Sequence, residues 1–135
     1  MRVNVSPVTR IILIGAASVV AFDVAASLLL AWLGGSLIWM FLGEGLIYLA
    51  AGFAGGRIGG LAAGARSGAW VAALDCAVGW PITGAIGTGQ VSRITLVSVV
   101  FVLVTMITTG AFAGTAGAVA ARLVGRRSAE APAER

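Results

Sequence analysis

Four apolar stretches, at about residues 11–33, 37–53, 67–82 and 94–121, occupy most of this 135-residue chain. A helix needs about 20 consecutive apolar residues to cross the hydrocarbon core of a bilayer. No water is available there to satisfy backbone N–H and C=O groups, so each stretch must be helical. Composition agrees with lipid as the solvent. The chain is 59% hydrophobic and only 10% charged, with a mean hydropathy of +1.03. Soluble chains carry about 25% charged residues. So few charges cannot clothe a globule in water.

The predicted fold is an all-α integral membrane protein: four transmembrane helices in an antiparallel up-down bundle over residues 1–123. Residues 124–135 are expected to form a disordered cytoplasmic tail, because the composition shifts there to Gly, Arg, Ser, Ala, Pro and Glu. Ser6 and Pro7 supply an N-cap and a first-turn proline for the first helix. That helix is longer than the h-region of a cleavable signal, so it is expected to stay. The short turn Gly34, Gly35, Ser36 predicts a hairpin between helices one and two. A connection around Gly55 to Arg66 follows. Trp80 and Pro81 are expected to end the third helix, with Gly84, Gly87 and Gly89 in the loop before Arg93.

Arginine placement predicts the orientation. All nine basic residues are arginines. With the N-terminus inside, Arg2, Arg10, Arg57, Arg66, Arg122, Arg126, Arg127 and Arg135 are cytoplasmic, and Arg93 alone is outside. Cytoplasmic enrichment of this kind is the ordinary topology signal. Trp32, Trp39 and Trp80 then fall at the outer interface, where aromatic belts form. Both termini are expected in the cytoplasm of a bacterial-type inner membrane.

Small residues mark the packing faces. Gly52, Gly56, Gly60, Gly64 and Gly68 recur at every fourth position, and Ala72 and Cys76 continue the series. Gly110, Gly114 and Ala118 repeat the pattern in the last helix. Positions four apart share one helix face, and glycine there lets two backbones approach closely. The two faces are expected to pack on each other or on another copy of the chain. Cys76 is the lone cysteine, which excludes an internal disulfide.

Chemistry, if present, rests on three acids. Asp23, Glu44 and Asp75 each stand alone in an apolar stretch with no basic residue beside them. An acid at membrane depth costs roughly 2.5 to 3.5 kcal/mol on insertion scales and usually faces a partner, a cavity or a function. Counting about 1.5 Å per residue, all three can reach the middle third of the membrane. Gathered there, they can share protons or bind a cation. Thr105 and Thr109, with Ser98 and Thr108, offer hydroxyls to the same site. Gly43 and Gly45 flank Glu44 and could loosen the helix, as in the broken helices of transporters. The bland alternative is polar glue between helices, with threonines bonded to their own backbone.

Other function classes find no carrier. Without histidine, the common metal sites and His-activated nucleophiles are missing. Gly84, Gly87 and Gly89 do not form a dinucleotide fingerprint, and no phosphate-binding loop is present. Arginines scattered at the ends of apolar stretches do not make a nucleic-acid face. Neither an enzymatic activity nor a cofactor is expected. Two readings follow. One is an assembly or accessory component acting through glycine-mediated packing, as a homo-oligomer or with a membrane-protein partner. That is the reading the sequence favours; the alternative is a small proton- or cation-coupled transporter or channel.

Overall fold

The structure, a computed structural model, describes residues 5–34, 36, 38–86 and 95–130, with side chains up to residue 126. The elements are α1 (Pro7–Leu33), α2 (Ile38–Leu74), a π-helical turn (Asp75–Gly79), α3 (Trp80–Ile86) and α4 (Leu96–Glu130). Among the described residues three helical stretches are long and apolar enough to cross a membrane: Pro7–Leu33, Ile38–Ile86 and Leu96–Arg126. Large apolar side chains cover their outer surfaces, with Trp32, Leu96 and Phe101 among the most exposed. That surface is compatible with a membrane protein.

Helix α1 begins as its sequence dictates. The Ser6 side chain accepts from the Thr9 amide at 3.1 Å, and Pro7 occupies the first turn, where no N–H is needed. At the other end Gly34 adopts φ 66 and returns its N–H to the Leu30 carbonyl, a conformation that suits glycine.

The middle of the chain departs from expectation. Where four separate helices are predicted, residues 38–86 form one helical stretch interrupted at Gly59 and Gly60. The expected connection from Gly55 to Arg66 shrinks to these two residues. Gly60 has φ 73 and ψ −163, which only glycine adopts without strain. The chain reverses there. A Cβ on Gly64 would lie 2.7 Å from the Gly52 carbonyl oxygen, although twelve residues of straight helix would separate them by about 18 Å. The arms of α2, residues 38–58 and 61–74, therefore lie side by side.

Helix α4 seats on both arms through small residues. A Cβ on Gly56 would meet the Ala118 Cα at 2.5 Å, and one on Gly64 would meet the Ala118 Cβ at 2.5 Å. On Gly110 it would meet the Ala72 Cβ at 2.5 Å. Gly52 and Gly68 abut Gly114 and Gly110 in the same way. Helix α1 packs on the opposite side, against α2, the π turn and α3, and no packing of α1 on α4 occurs among the described residues.

Two boundaries are corrected. Pro81 does not end its helix, which continues to Ile86. Proline removes one backbone donor and crowds the carbonyl four residues back. The wide turn Asp75–Gly79 absorbs the misfit, with the Trp80 N–H bonded to the Asp75 carbonyl. The expected disordered tail is helical as far as Glu130. Residues 131–135, Arg2, Gly35, Gly87, Gly89 and Arg93 lie outside the described residues.

Candidate functional site

Each acid occupies the buried stripe of its own helical piece. On α1 the buried residues are Gly15, Val19, Asp23 and Ser27, at a strict spacing of four. Helix α2 buries Met40, Glu44 and Tyr48 at the same spacing. The π turn buries Asp75 and Gly79. Because α1 and both sides of the Gly59–Gly60 reversal turn these stripes toward one another, the acids meet.

Asp23, Glu44 and Asp75 each offer a carboxylate oxygen, and these atoms lie within 4.8 Å of one another. All three residues are buried, at 2%, 7% and 3% exposure respectively. Arg10, Arg57, Arg66, Arg122 and Arg126 are all exposed, so among the described residues no guanidinium neutralises the cluster. Two unit charges 4 Å apart repel by about 4 kcal/mol even at an effective dielectric of 20. Three such pairs approach the whole stability of a domain, about 5 to 15 kcal/mol. Three bare carboxylates at this spacing repel strongly, a repulsion that a shared proton or a bound cation would relieve.

The surroundings are specific. The Tyr48 hydroxyl, 1% exposed, donates to Oδ2 of Asp75. Asp23 Oδ1 has no hydrogen-bond partner although it is buried, and Ser27 Oγ, one turn along α1, shares that condition. Such orphaned atoms are uncommon in a packed interior. Gly79 completes the wall. A Cβ there would overlap Asp23 Oδ2 and Asp75 Oδ1, so only a residue without a side chain leaves room for both carboxylates.

The threonines do not join the acids. Thr105 and Thr109 are exposed on α4, and Thr105 Oγ1 donates to the Phe101 carbonyl at 2.8 Å. Thr108 does the same to Val104 at 2.7 Å. Bonding to one's own helix satisfies a hydroxyl in apolar surroundings without help from a neighbour. The glycines beside Glu44 also differ from expectation, because α2 remains helical through both. Gly43 leaves room for the Phe22 ring, and Gly45 faces open space. Of the glycines at spacing four, Gly60 alone forms the reversal rather than a packing contact between helices.

Sequence reasoning missed Tyr48, Ser27 and Gly79. A common signal was available, since each stands four residues after an acid and so shares its helix face. No known protein family, curated protein or solved structure matches this chain.

Proposed function

We propose that this chain is a multi-pass inner-membrane protein of bacterial type, without enzymatic activity, whose buried carboxylates bind a cation or protons within a small carrier or channel. The observation that carries this reading is the convergence of Asp23, Glu44 and Asp75 to within 4.8 Å. Ionisable groups at membrane depth mark ion and proton pathways by default. In this reading α2 and α3 cross the bilayer twice by way of the reversal at Gly59 and Gly60, giving four antiparallel crossings in all. The arginine bias then puts both termini in the cytoplasm. Trp32 and Trp39, both exposed, sit in the outer aromatic belt. The surrounding partner is the lipid bilayer, not nucleic acid.

The alternative, an accessory protein acting through its glycine faces, draws less support. Gly52, Gly56, Gly64 and Gly68 already face Gly110, Gly114 and Ala118 of the same chain. Any homo-oligomer or membrane-protein partner would have to use other surfaces.

Reconstituted vesicles test the proposal. The wild type should support a flux driven by a pH or cation gradient, and Glu44→Gln should abolish it while the protein stays helical. A wild type without flux under any such gradient would overturn the carrier reading.

A further inference from the structure

The donor set around the triad is narrow. Among the histidine, cysteine, aspartate and glutamate side chains of the described residues, only these three carboxylates come together. Cys76 adjoins Asp75 in sequence, yet its thiol is not part of the group, and the chain has no histidine. All-oxygen sites suit hard cations, whereas zinc and copper favour sulfur and imidazole ligands.

Size and charge narrow it further. Opposite oxygens in a Ca²⁺ shell stand about 4.6 to 5.2 Å apart, twice a bond of 2.3 to 2.6 Å. Three oxygens within 4.8 Å of one another fit inside one such shell. A single positive charge would leave two of three buried carboxylates uncompensated, and a divalent ion leaves one. A second observation lies outside the three acids: Ser27, fully buried one turn from Asp23 on the same face, has a hydroxyl without a hydrogen-bond partner. Asp23 Oδ1 is buried and has no hydrogen-bond partner, on a side chain whose carboxylate already faces the other two acids. Gly79 leaves clear the space where a Cβ would collide with both aspartates. Tyr48 engages Oδ2 of Asp75, which fixes that carboxylate and leaves Oδ1 toward Asp23.

We propose that Asp23, Glu44 and Asp75 bind one hard divalent cation of calcium type, a statement that rests on the reading of the triad as a cation or proton site and narrows its ligand. The three carboxylates supply the protein ligands. Tyr48 is a positioning residue, acting through Asp75. Ser27, one turn from Asp23 on the same buried face, adds an unpartnered hydroxyl next to that ligand in the stripe.

The test is equilibrium dialysis of the purified full chain in mild detergent against Ca²⁺ alone, followed by competition with Mn²⁺, K⁺ and Zn²⁺. The expected result is one saturable Ca²⁺ per chain, displaced by Mn²⁺ and indifferent to excess K⁺. Ca²⁺ should also raise the unfolding temperature, because it binds the folded state alone. Asp23→Asn and Glu44→Gln should each weaken binding roughly tenfold to a hundredfold or more, the range known for lesser disturbances of metal sites. The wild-type competition series requires no variant, so misfolding of a mutant does not blunt it. Binding that survives in both variants, or that Zn²⁺ outcompetes, would overturn the proposal. Failure of Ca²⁺ and Mn²⁺ to bind, with a pH-sensitive carboxyl infrared band that Glu44→Gln removes, would overturn the divalent ion and leave a proton site standing. With neither ion binding nor such a band, the underlying reading falls as well.

Discussion

Tyr48 and Asp75, 27 residues apart in sequence, are joined by a buried hydrogen bond from the tyrosine hydroxyl to Oδ2 of the aspartate. The bond links the first arm of α2 to the π turn beyond its second arm. It therefore fastens the reversal at the level of the acids, far from the glycines that make the turn. Tyr48 also stands one helical turn from Glu44, on the same buried face of α2.

Replacing Tyr48 by Phe keeps the ring and removes the donor. A buried acceptor left without its partner costs about 1 to 3 kcal/mol. Chemical unfolding in mild detergent should show a loss of that size, and an unchanged midpoint would remove the bond from the account of stability.

Gly79→Ala and Gly45→Ala make a matched pair. The added methyl at residue 79 would overlap Asp23 Oδ2 and Asp75 Oδ1, whereas at residue 45 it meets open space. Alanine in place of a helical glycine is otherwise favoured by about 1 kcal/mol. Gly45→Ala should be neutral or mildly stabilising in thermal unfolding, and Gly79→Ala clearly destabilising. Equal effects at the two positions would contradict the close seating of Gly79.

The junction of α4 with the two arms of α2 depends on backbone contact. Gly114→Leu would drive a large side chain into the Gly64 carbonyl and Gly68. Overpacking of this kind costs about 1 to 3 kcal/mol and often more. The expected outcome is a lower unfolding temperature and faster proteolysis, and a protein as stable as the wild type would refute the seating. Gly60→Ala should also destabilise, by roughly 1 to 2 kcal/mol, because its φ is 73.

Thr105→Val and Thr109→Val test the separation of α4's hydroxyls from the acids. Both residues are exposed, so the double variant should retain wild-type cation or proton binding in the dialysis and flux assays. A loss comparable with Glu44→Gln would return these threonines to the site.

Much of this arrangement was legible in the residues. The apolar stretches, the Ser6 cap and the isolation of the three acids can be read directly, since each follows from local composition and the demand of lipid on backbone groups. Asp23, Glu44 and Asp75 lie in buried stripes at spacing four, which makes their meeting natural once the chain direction alternates. The point of reversal was hidden by the glycines themselves. The expected connection from Gly55 to Arg66 brackets the reversal, but nothing local separates Gly60, which turns, from Gly56 and Gly64, which pack. Thr105 and Thr109 misled for another reason. Helical spacing says which residues share a face, but not whether that face meets protein or lipid. Pro81 was read as a stop because the usual remedy for a proline, a widened turn upstream, depends on packing around Asp75 and Gly79.

That widened turn has one more effect. A five-residue turn holds one residue more than α-helical winding requires, and each residue advances a helix by about 100°. The wide turn spends five residues on about the rotation that four α-helical residues cover, so deleting a single position between Cys76 and Val78 would close it into ordinary helix with Trp80 and Thr83 still in phase with Asp75. The surplus residue thus serves Pro81, whose ring would otherwise crowd the carbonyl four residues back, and leaves the direction of the following segment unchanged.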